Sequence, residues 1–309
     1  MNGILSSIRI GMDPDLIEMG NFVLTWHGFF TFIGVLVAVL LVAYWAKKEG
    51  IVPDTVYSVA VWVILGGVIG ARIIHVIDFW GRIYKHDPIS VFYVYEGGIA
   101  VFGAVLGGFL GGALYIIIRN RDGFINFWNS YFPWLGRLDK INLPSVGRLA
   151  DITAPALILA MAIGRIGDII NGEHISRVTN LAWGFVYTHP KTQALYASIA
   201  QGRSSLTPSH PAVVYEMIWD GVILGALWFV FRNRLRPHGM LFAVFLAMYS
   251  LGRFFISFVR EDKIWIVGLD QSQIISLIVL AITVTLLISK AQIVRRIQRP
   301  GGRVVGTGS

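Results

Sequence analysis

Apolar residues run along this chain in long blocks separated by short polar segments. Three blocks, at 28–46, 97–118 and 271–289, carry no charge over lengths that cross a hydrocarbon core as an α-helix. Four more blocks reach the same length but contain ionisable residues. The pattern therefore predicts seven membrane-spanning helices, and the four that carry charge lie at 55–78, 152–170, 211–231 and 239–259.

The composition is that of a membrane protein. Of the 309 residues, 55% are hydrophobic and 14% are charged, and the mean hydropathy is +0.65. No short apolar signal-peptide core precedes the first block, because residues 1–21 include Arg9, Asp13, Asp15 and Glu18. We therefore expect the first helix to be retained.

Lysine and arginine are unevenly divided between the loops on the two sides. With the amino terminus outside, the inner segments carry fifteen of the 26 basic residues and the outer segments carry seven. This bias follows the positive-inside rule, so the net charge of +8 is explained by a membrane rather than by nucleic acid. The sequence predicts an all-α integral membrane protein with seven transmembrane helices, amino terminus out and carboxyl terminus in.

We expect a single polytopic domain over residues 1–309, with an outer arm at 1–21. The loop at 119–148 is rich in aromatic and basic residues and is predicted to lie on the cytoplasmic surface. The loop at 171–210, outside and between helices 4 and 5, is better placed to meet a substrate. The tail at 291–309 is basic and glycine-rich, and we expect it to be flexible.

Ionisable residues within the predicted spans gather toward the outer side. A charge in lipid costs several kcal/mol, so such residues indicate a functional site or a set of mutual ion pairs. Asp151, at the inner end of helix 4, stands apart from them. The outer group comprises Arg72, Asp78, Glu96, Arg165, Asp168, Glu216, Asp220, Arg253 and Arg260.

Arg165 and Arg253 are the candidates for binding an anion. Each guanidinium offers a planar fork that matches two phosphate oxygens. The alternative for Arg165 is a structural ion pair with Asp168 or Glu216, and the alternative for Arg253 is a side chain that extends to the outer surface. Two arginines from different helices at one depth suit a phosphate ester, which they would hold or whose departing oxygen they would stabilise.

Other polar and small residues have both a structural and a functional interpretation. The glycines between positions 97 and 112 are most simply explained by close helix contacts. His27 could accept a proton, although an interfacial histidine more often only forms hydrogen bonds. Glu216 lies one turn into its span, where an arginine is its natural partner.

The chain has no cysteine, which excludes disulfides and a cysteine nucleophile of its own.

Six sequence blocks together resemble the prolipoprotein diacylglyceryl transferase family. Residues 164–173 read Gly-Arg-Ile-Gly-Asp-Ile-Ile-Asn-Gly-Glu, similar to the family signature Gly-Arg-x-Gly-Asn-x-x-Asn-Gly-Glu with Asp168 in place of asparagine. The other blocks follow in family order across nearly the whole chain. They are Trp26-x-Gly28, Gly70-Ala71-Arg72, Glu96-Gly97-Gly98, His210-Pro211-x-x-x-Tyr215-Glu216, and Tyr249-x-x-x-Arg253-Phe254-Phe255 with Arg260-Glu261.

The resemblance implies that a substrate cysteine thiol attacks glycerol C3 of phosphatidylglycerol, forming a thioether and releasing glycerol 1-phosphate without a cofactor or metal. The implied partners are phosphatidylglycerol, the signal peptide of a prolipoprotein with its lipobox cysteine, and the bilayer of the bacterial inner membrane. The catalytic residues are predicted to be Arg165 and Arg253, which would engage the phosphate, with His27 and Glu173. Substrate contacts are predicted for Arg72, Gly97, Gly98, Asp168, Asn171, Gly172, Tyr215, Glu216, Tyr249 and Arg260.

Three departures from the family pattern leave the proton acceptor for the thiol open. Phe102 stands where members have a histidine after the glycine pair, His27 where they have tyrosine, and Ser257 where they have glutamate. The thiol proton could therefore pass to His27, His174, Glu173 or water.

Two other functions remain open from the sequence. An anion channel or transporter would use the charged outer cavity, but the sequence shows no inverted repeat and no charged path into the inner half. A relative that binds anionic lipid without turnover is motivated by Phe102 and Ser257.

Overall fold

Helices make up most of the protein. The computed structural model describes residues 7–20, 22–93, 101–141, 143–172, 174–199, 204–262 and 264–294. The helices in these ranges are α1 (Trp26–Lys48), α2 (Pro53–Phe79), α3 (Val101–Arg119), α4 (Asp122–Tyr131), α5 (Val146–Asn171), α6 (Pro190–Ile199), α7 (Ala212–Gly225), α8 (Met240–Ile256) and α9 (Gln271–Lys290). The strands are β1 (Ile8–Ile10), β2 (Asp15–Met19), β3 (Phe22–Thr25), β4 (Phe185–Tyr187), β5 (Leu235–Arg236), β6 (Ile264–Ile266), β7 (Leu269–Asp270) and β8 (Gln292–Ile293).

Six of the described helices are long and apolar enough to cross a membrane. They are α1, α2, α5 and α9, with α7 extended by a π-helical segment, Ala226–Phe231, and α8 extended by a 3-10 turn, Ser257–Val259. A seventh span results if α3, from Gly103 on, and α4 are taken together across their 81° bend. The prediction of a helical integral membrane protein is confirmed, and the described residues contain six or seven candidate spans.

Local sequence explains where two of the spans begin. Pro53 occupies the first turn of α2, where a backbone N–H has no partner inside the helix. At the start of α9, the Asp270 carboxylate accepts a hydrogen bond from the Gln273 backbone N–H at 2.8 Å. The Gln273 side-chain oxygen accepts one from the Asp270 backbone N–H at 3.0 Å. This capping box satisfies two N–H groups and fixes the first turn of α9.

The chain divides into two compact units. One, called the 35–156 unit, contains α2, α3 and α4 and an apolar core to which α1 and α5 also contribute. The other, called the terminal unit, consists of residues 1–34 and 157–309 and contains α6 to α9 and the β-strands.

Glycines bring α2 and α3 of the 35–156 unit to backbone contact. A Cβ placed on Gly70 would lie 2.3 Å from the Gly103 carbonyl oxygen, and one on Gly107 would lie 2.2 Å from the Gly66 carbonyl oxygen. Small residues allow such approach in a membrane, where dispersion contacts between helices replace the hydrophobic effect as the driving force. The structural interpretation of the helix 3 glycines is therefore supported at these positions.

We expect Gly107→Ala to lower the thermal midpoint of the detergent-solubilised protein. The added methyl group has no space beside α2, and overpacking of this kind costs about 1–3 kcal/mol. Gly123→Ala in α4 is the matched control, because its Cβ would meet nothing within 4 Å. Equal midpoints for Gly107→Ala and the wild type would contradict the close packing of α2 on α3.

Short two-stranded ladders accompany the helices of the terminal unit. β1 pairs in parallel with β4, β2 with β3, β5 with β8 and β6 with β7, each of the last three antiparallel. The predicted outer arm at 1–21 thus contains β1 and β2, and the predicted loop at 171–210 contains β4 and α6. The all-α prediction missed these ladders because strands of two to five residues give too short an alternation to recognise.

The predicted flexible tail at 291–309 begins with an ordered strand. Gln292 and Ile293 of β8 pair with Arg236 and Leu235 of β5. The residues from 295 onward lie outside the described ranges, so the flexibility of the tail stays a prediction.

The 119–148 segment contains α4 and a 3-10 turn, Pro133–Leu135. Its aromatic side chains at Phe127, Tyr131 and Trp134 are exposed. Amphipathic aromatic side chains suit a membrane–water interface, so the location of this segment on the cytoplasmic surface stays a prediction that the exposure supports.

Candidate active site

The buried carboxylate of Glu216 organises the charged residues of the terminal unit. Glu216 and Asp220 lie four residues apart on α7, hence on one face, and are 4% and 1% exposed. A carboxylate buried in an apolar helix requires positively charged partners.

Three arginines supply these partners. Arg165 of α5 places Nη1 2.5 Å from Glu216 Oε2, and Arg253 of α8 donates through Nη1 to Glu216 Oε1. Arg260, just beyond α8, has Nη1 3.8 Å from Glu216 Oε1. Arg165 and Arg253, the two arginines expected to act together, therefore meet on the two oxygens of one carboxylate. The ion pair foreseen between Arg165 and Glu216 is also present.

Two more carboxylates hold the arginines from their other sides. Asp168 Oδ2 lies 3.4 Å from Arg165 Nη1. Arg260 donates to Asp262 through Nε at 2.8 Å and through Nη2 at 3.3 Å, and Arg253 Nη2 lies 3.7 Å from the same carboxylate. We call Arg165, Arg253, Arg260, Glu216, Asp168 and Asp262 the arginine cluster; its three positive and three negative charges balance.

Asp262 lies beyond the spans and stays ionised near neutral pH. Burial alone would raise the pKa of its carboxyl, but the hydrogen bonds and charge of Arg260, with the charge of Arg253, hold the pKa below its usual range. Because the folded-state pKa is the lower one, the resulting stabilisation is present above the unfolded-state value of about 3.9 and is lost in stronger acid.

Asp168 also joins two histidines to the cluster. His27, the second residue of α1, contacts Asp168 Oδ1 through Nδ1, and His174 Nε2 lies 3.4 Å from Asp168 Oδ2. On its other edge, His174 Nδ1 accepts a hydrogen bond from Arg260 Nη2 at 3.4 Å. One carboxylate therefore connects Arg165 with both imidazoles.

Asn171 and Gly172 shape the end of α5. The Asn171 Oδ1 accepts a hydrogen bond from the backbone N–H of His27 at 3.3 Å. Gly172 has a φ of +67°, in the left-handed region, and a Cβ there would lie 2.6 Å from the Tyr187 ring. The chain therefore turns at Gly172 in a conformation and a space that only glycine fits.

Backbone pairing fixes the segment that follows. Ser176 and Arg260 form an antiparallel bridge, and the Arg177 N–H donates to the Val259 carbonyl oxygen at 2.9 Å. These bonds tie the residues after α5 to the end of α8, which brings His174 within reach of Arg260.

The two tyrosines predicted to contact substrate have different surroundings. Tyr249 lies one turn before Arg253 on α8 and is close enough to Arg165 and Arg253 to interact with their charges. The Tyr215 hydroxyl instead accepts a hydrogen bond from Trp183 Nε1 at 2.9 Å and lies 3.3 Å from His210 Nδ1. Tyr249 therefore adjoins the arginine cluster, whereas Tyr215 contacts Trp183 and His210.

Arg72 lies in the 35–156 unit and binds backbone carbonyls there. Its Nε donates to Val91 O at 2.8 Å and its Nη2 donates to Ser90 O and, at 3.2 Å, to Tyr93 O. The guanidinium also lies over the Tyr84 ring, 5.3 Å from its centroid. These contacts give Arg72 a structural role, and its role as a substrate ligand stays a prediction.

Three residues predicted to belong to the site, Glu173, Gly97 and Gly98, lie outside the described residues. Their roles stay predictions.

Sequence reasoning missed Asp262 and Ser272 as parts of the site. Ser272 accepts a hydrogen bond from Arg253 Nη2 at 2.9 Å, and the Asp262 carboxylate accepts hydrogen bonds from Arg260 Nε and Nη2. The spacing Arg260-x-Asp262 carried a signal, since an acid two residues after a basic residue in a bent segment can reach back to it. Ser272 lies in the capping box of α9 and showed no functional pattern.

The cluster offers two kinds of chemistry. Guanidinium forks bind the oxygens of a phosphate ester, and an imidazole held by a carboxylate can accept a proton. In the described part of the chain, no group of three His, Cys, Asp or Glu side chains could hold a metal ion.

Comparison with known proteins agrees with the sequence motifs. A family model described as prolipoprotein diacylglyceryl transferase matches residues 14–289. A protein of Trichormus variabilis named phosphatidylglycerol–prolipoprotein diacylglyceryl transferase is 32% identical over 272 residues, covering 85% of this chain and 84% of its own. One of the same name from Dehalococcoides mccartyi is 31% identical over 282 residues, covering 91% of this chain and 94% of its own.

The family match extends from before α1 to the last turn of α9, so it includes every residue of the arginine cluster. Together with the relatives above 30% identity over more than four fifths of the chain, it shows that this protein belongs to the prolipoprotein diacylglyceryl transferase family.

Proposed function

We propose that this protein transfers the diacylglyceryl group of phosphatidylglycerol to the lipobox cysteine of prolipoproteins and releases glycerol 1-phosphate. The names of its relatives specify phosphatidylglycerol and prolipoprotein. The observation that carries the proposal for this chain is the meeting of Arg165 and Arg253 on the buried carboxylate of Glu216.

The arginines can bind the lipid phosphate while they keep their contacts with the Glu216 carboxylate. Each guanidinium has five N–H donors, and Glu216 engages one nitrogen of Arg165 and one of Arg253. Arg260 Nη1 has no hydrogen-bond partner within the described ranges, although it is buried. A phosphodiester brings one negative charge and two non-bridging oxygens, which match donors of this geometry.

The reaction places new negative charge where the arginines are. As the thiol sulfur forms its bond to glycerol C3, the bond from C3 to the phosphate oxygen breaks and its electron pair stays on that oxygen. The phosphate thereby changes from a monoanionic diester to a dianionic monoester, and the thiol proton passes to a base. Arg165 and Arg253 stabilise this developing charge, which is the contribution that raises the rate.

The proposal includes the arrangement in the membrane. The protein would cross the bacterial inner membrane seven times with its amino terminus outside, in agreement with the fifteen basic residues of the inner segments. The segment at 171–210 would receive the signal peptide, because it leads directly from Arg165 and Asp168 to Glu216.

Purified protein, incubated with phosphatidylglycerol in mixed micelles and a lipobox peptide, is expected to produce a peptide whose mass has increased by one diacylglyceryl group, with equimolar glycerol 1-phosphate. A peptide with serine in place of the lipobox cysteine is the control and should remain unmodified, because an alcohol is far less nucleophilic than a thiolate. Retention of lipid without product would favour a binding protein, and movement of a labelled anion across vesicles without product would favour a transporter; either outcome contradicts the proposal.

A further inference from the structure

We propose, on the basis of the transferase function above, that His27 accepts the thiol proton and that Asp168 is the positioning residue that prepares it. His27 begins α1 and Asp168 lies near the end of α5, 141 residues later in the chain. The contact between His27 Nδ1 and Asp168 Oδ1 joins them directly. In the sequence, His27 and Asp168 are two separate departures from the family pattern. In the structure, their side chains are in contact.

The pairing fixes which ring nitrogen is basic. A carboxylate beside Nδ1 favours the tautomer in which Nδ1 carries the proton and donates it to Asp168. The neutral ring then has Nε2 as its acceptor nitrogen. After proton transfer, the negative charge of Asp168 stabilises the imidazolium that forms, as a carboxylate does for a catalytic histidine in hydrolytic triads.

Residues of α5, the helix that carries Asp168, also hold the backbone of His27. A Cβ on Gly167 would lie 2.6 Å from His27 Cα, so α5 touches α1 at this residue because Gly167 has no side chain. The Asn171 side chain accepts the His27 N–H at 3.3 Å. Gly167, Asp168 and Asn171 thus form one surface of α5 that holds both the main chain and the ring of His27.

Exposure distinguishes His27 from His174, whose side chain is 27% exposed. The His27 side chain is 44% exposed, so a substrate thiol can approach it. His174 is bound on both edges, by Arg260 at Nδ1 and beside Asp168 at Nε2. His174 therefore supports Asp168, while His27 is the imidazole placed to meet the substrate.

Asp168 couples proton transfer to phosphate binding. Its Oδ1 contacts His27, whereas its Oδ2 lies 3.4 Å from both Arg165 Nη1 and His174 Nε2. The base and one phosphate-binding arginine are therefore held by the two oxygens of one buried carboxylate. In the transfer, the S–H bond breaks toward His27 Nε2, the S–C bond forms, and the electron pair of the broken C–O bond leaves with the phosphate.

The test compares the pH dependence of kcat/KM for the wild type and His27→Gln. Without a base, the reaction depends on thiolate already present in water, which is about 3% of a thiol of pKa ~8.5 at pH 7. We therefore expect His27→Gln to lose activity about thirtyfold at pH 7 and to recover most of it by pH 9. A lipobox peptide with selenocysteine, whose selenol ionises below neutral pH, should restore the variant to near the wild-type rate.

Asp168→Asn keeps the side-chain shape but removes the charge beside His27. Without that charge the imidazolium that forms on His27 loses its stabilising partner, so kcat/KM should fall at pH 7 and recover by pH 9, as it does in His27→Gln. The other charged or titratable groups around this pair are Arg165 on α5, His174 after it and, beyond Arg165, Glu216 on α7. Arg165 and Glu216 keep their charges in this variant, so the changed pH dependence reports on the pair of Asp168 and His27.

His86→Gln, at an exposed histidine of the 35–156 unit, is the control and should retain the wild-type profile. An unchanged profile for both His27→Gln and Asp168→Asn would overturn the inference while leaving the transferase function intact. The same holds for a loss of equal size at every pH that selenocysteine does not restore, because that would indicate a structural role. A wild-type protein that forms no thioether would instead overturn the transferase function, and this inference with it.

Discussion

Replacing Arg253 with alanine is expected to lower kcat/KM for phosphatidylglycerol about 10²- to 10³-fold, as does the loss of one preorganised donor from an oxyanion site. Arg253 contacts Glu216 through Nη1 and Ser272 through Nη2, so its guanidinium is fixed before any lipid binds. A fixed cation need not reorganise as charge develops on the leaving phosphate. Initial rates of thioether formation in mixed micelles measure the effect, and Arg165→Ala should lose activity to a similar extent.

Lysine at either position is expected to restore only part of this activity. An ammonium keeps the charge but lacks the planar fork that bonds Glu216 and a phosphate together. Arg137→Ala is the matched control, because Arg137 is an exposed arginine of the 35–156 unit. An Arg253→Ala enzyme with wild-type turnover would count decisively against the phosphate-binding assignment.

Glu216→Ala is expected to destabilise the folded protein by about 3–5 kcal/mol, the usual cost of leaving a buried charge without its partner. Arg165, Arg253 and Arg260 all approach this carboxylate. Its removal leaves the three guanidinium groups of the arginine cluster with two of the cluster's three carboxylates, Asp168 and Asp262. The free energy of unfolding, from denaturant titration in a single detergent, is the quantity to compare.

Two further variants serve as comparisons for the loss of stability in Glu216→Ala. Ile218→Ala lies on the same helix with a side chain that is 61% exposed, and it should change the unfolding free energy little. Arg253→Ala should cost less than Glu216→Ala, because Glu216 keeps Arg165 and Arg260. Equal stability of Glu216→Ala and the wild type would mean that the carboxylate does not hold the cluster together.

The sequence predicted those features that depend on long or strongly polar patterns. Uncharged blocks of about twenty residues identified the spans around α1 and α9 because a bilayer demands that length. Arg165, Glu216 and Arg253 were recognised because a charge in an apolar helix is costly, and the structure joins these three. Pairing between these three side chains could be expected because they were predicted to lie at one depth in the membrane, once the direction of each helix across the membrane had been assigned.

The sequence could not predict contacts that depend on how helices are rotated about their axes. His27 and Asp168 each differed from the family pattern, but no spacing rule relates α1 to α5. Asp262 was missed because it follows the end of α8, where a bend rather than a helical period directs it to Arg260 and Arg253. Ser257 stands where family members have a glutamate, and in this chain Arg253 lies near two other carboxylates, those of Glu216 and Asp262.

The parallel pairing of β1 with β4 has a consequence for the order of assembly. The Ile8 N–H donates to the Gly184 carbonyl oxygen, and the Ile10 carbonyl oxygen accepts from Thr188 Oγ1, a partner 178 residues further along the chain. Because ribosomes add about 5–20 residues per second, β1 is synthesised roughly 10–40 s before β4, its partner. During that interval an unpaired strand edge is open to wrong partners, so a bulky fusion at the amino terminus would disturb biogenesis more than one at the carboxyl terminus.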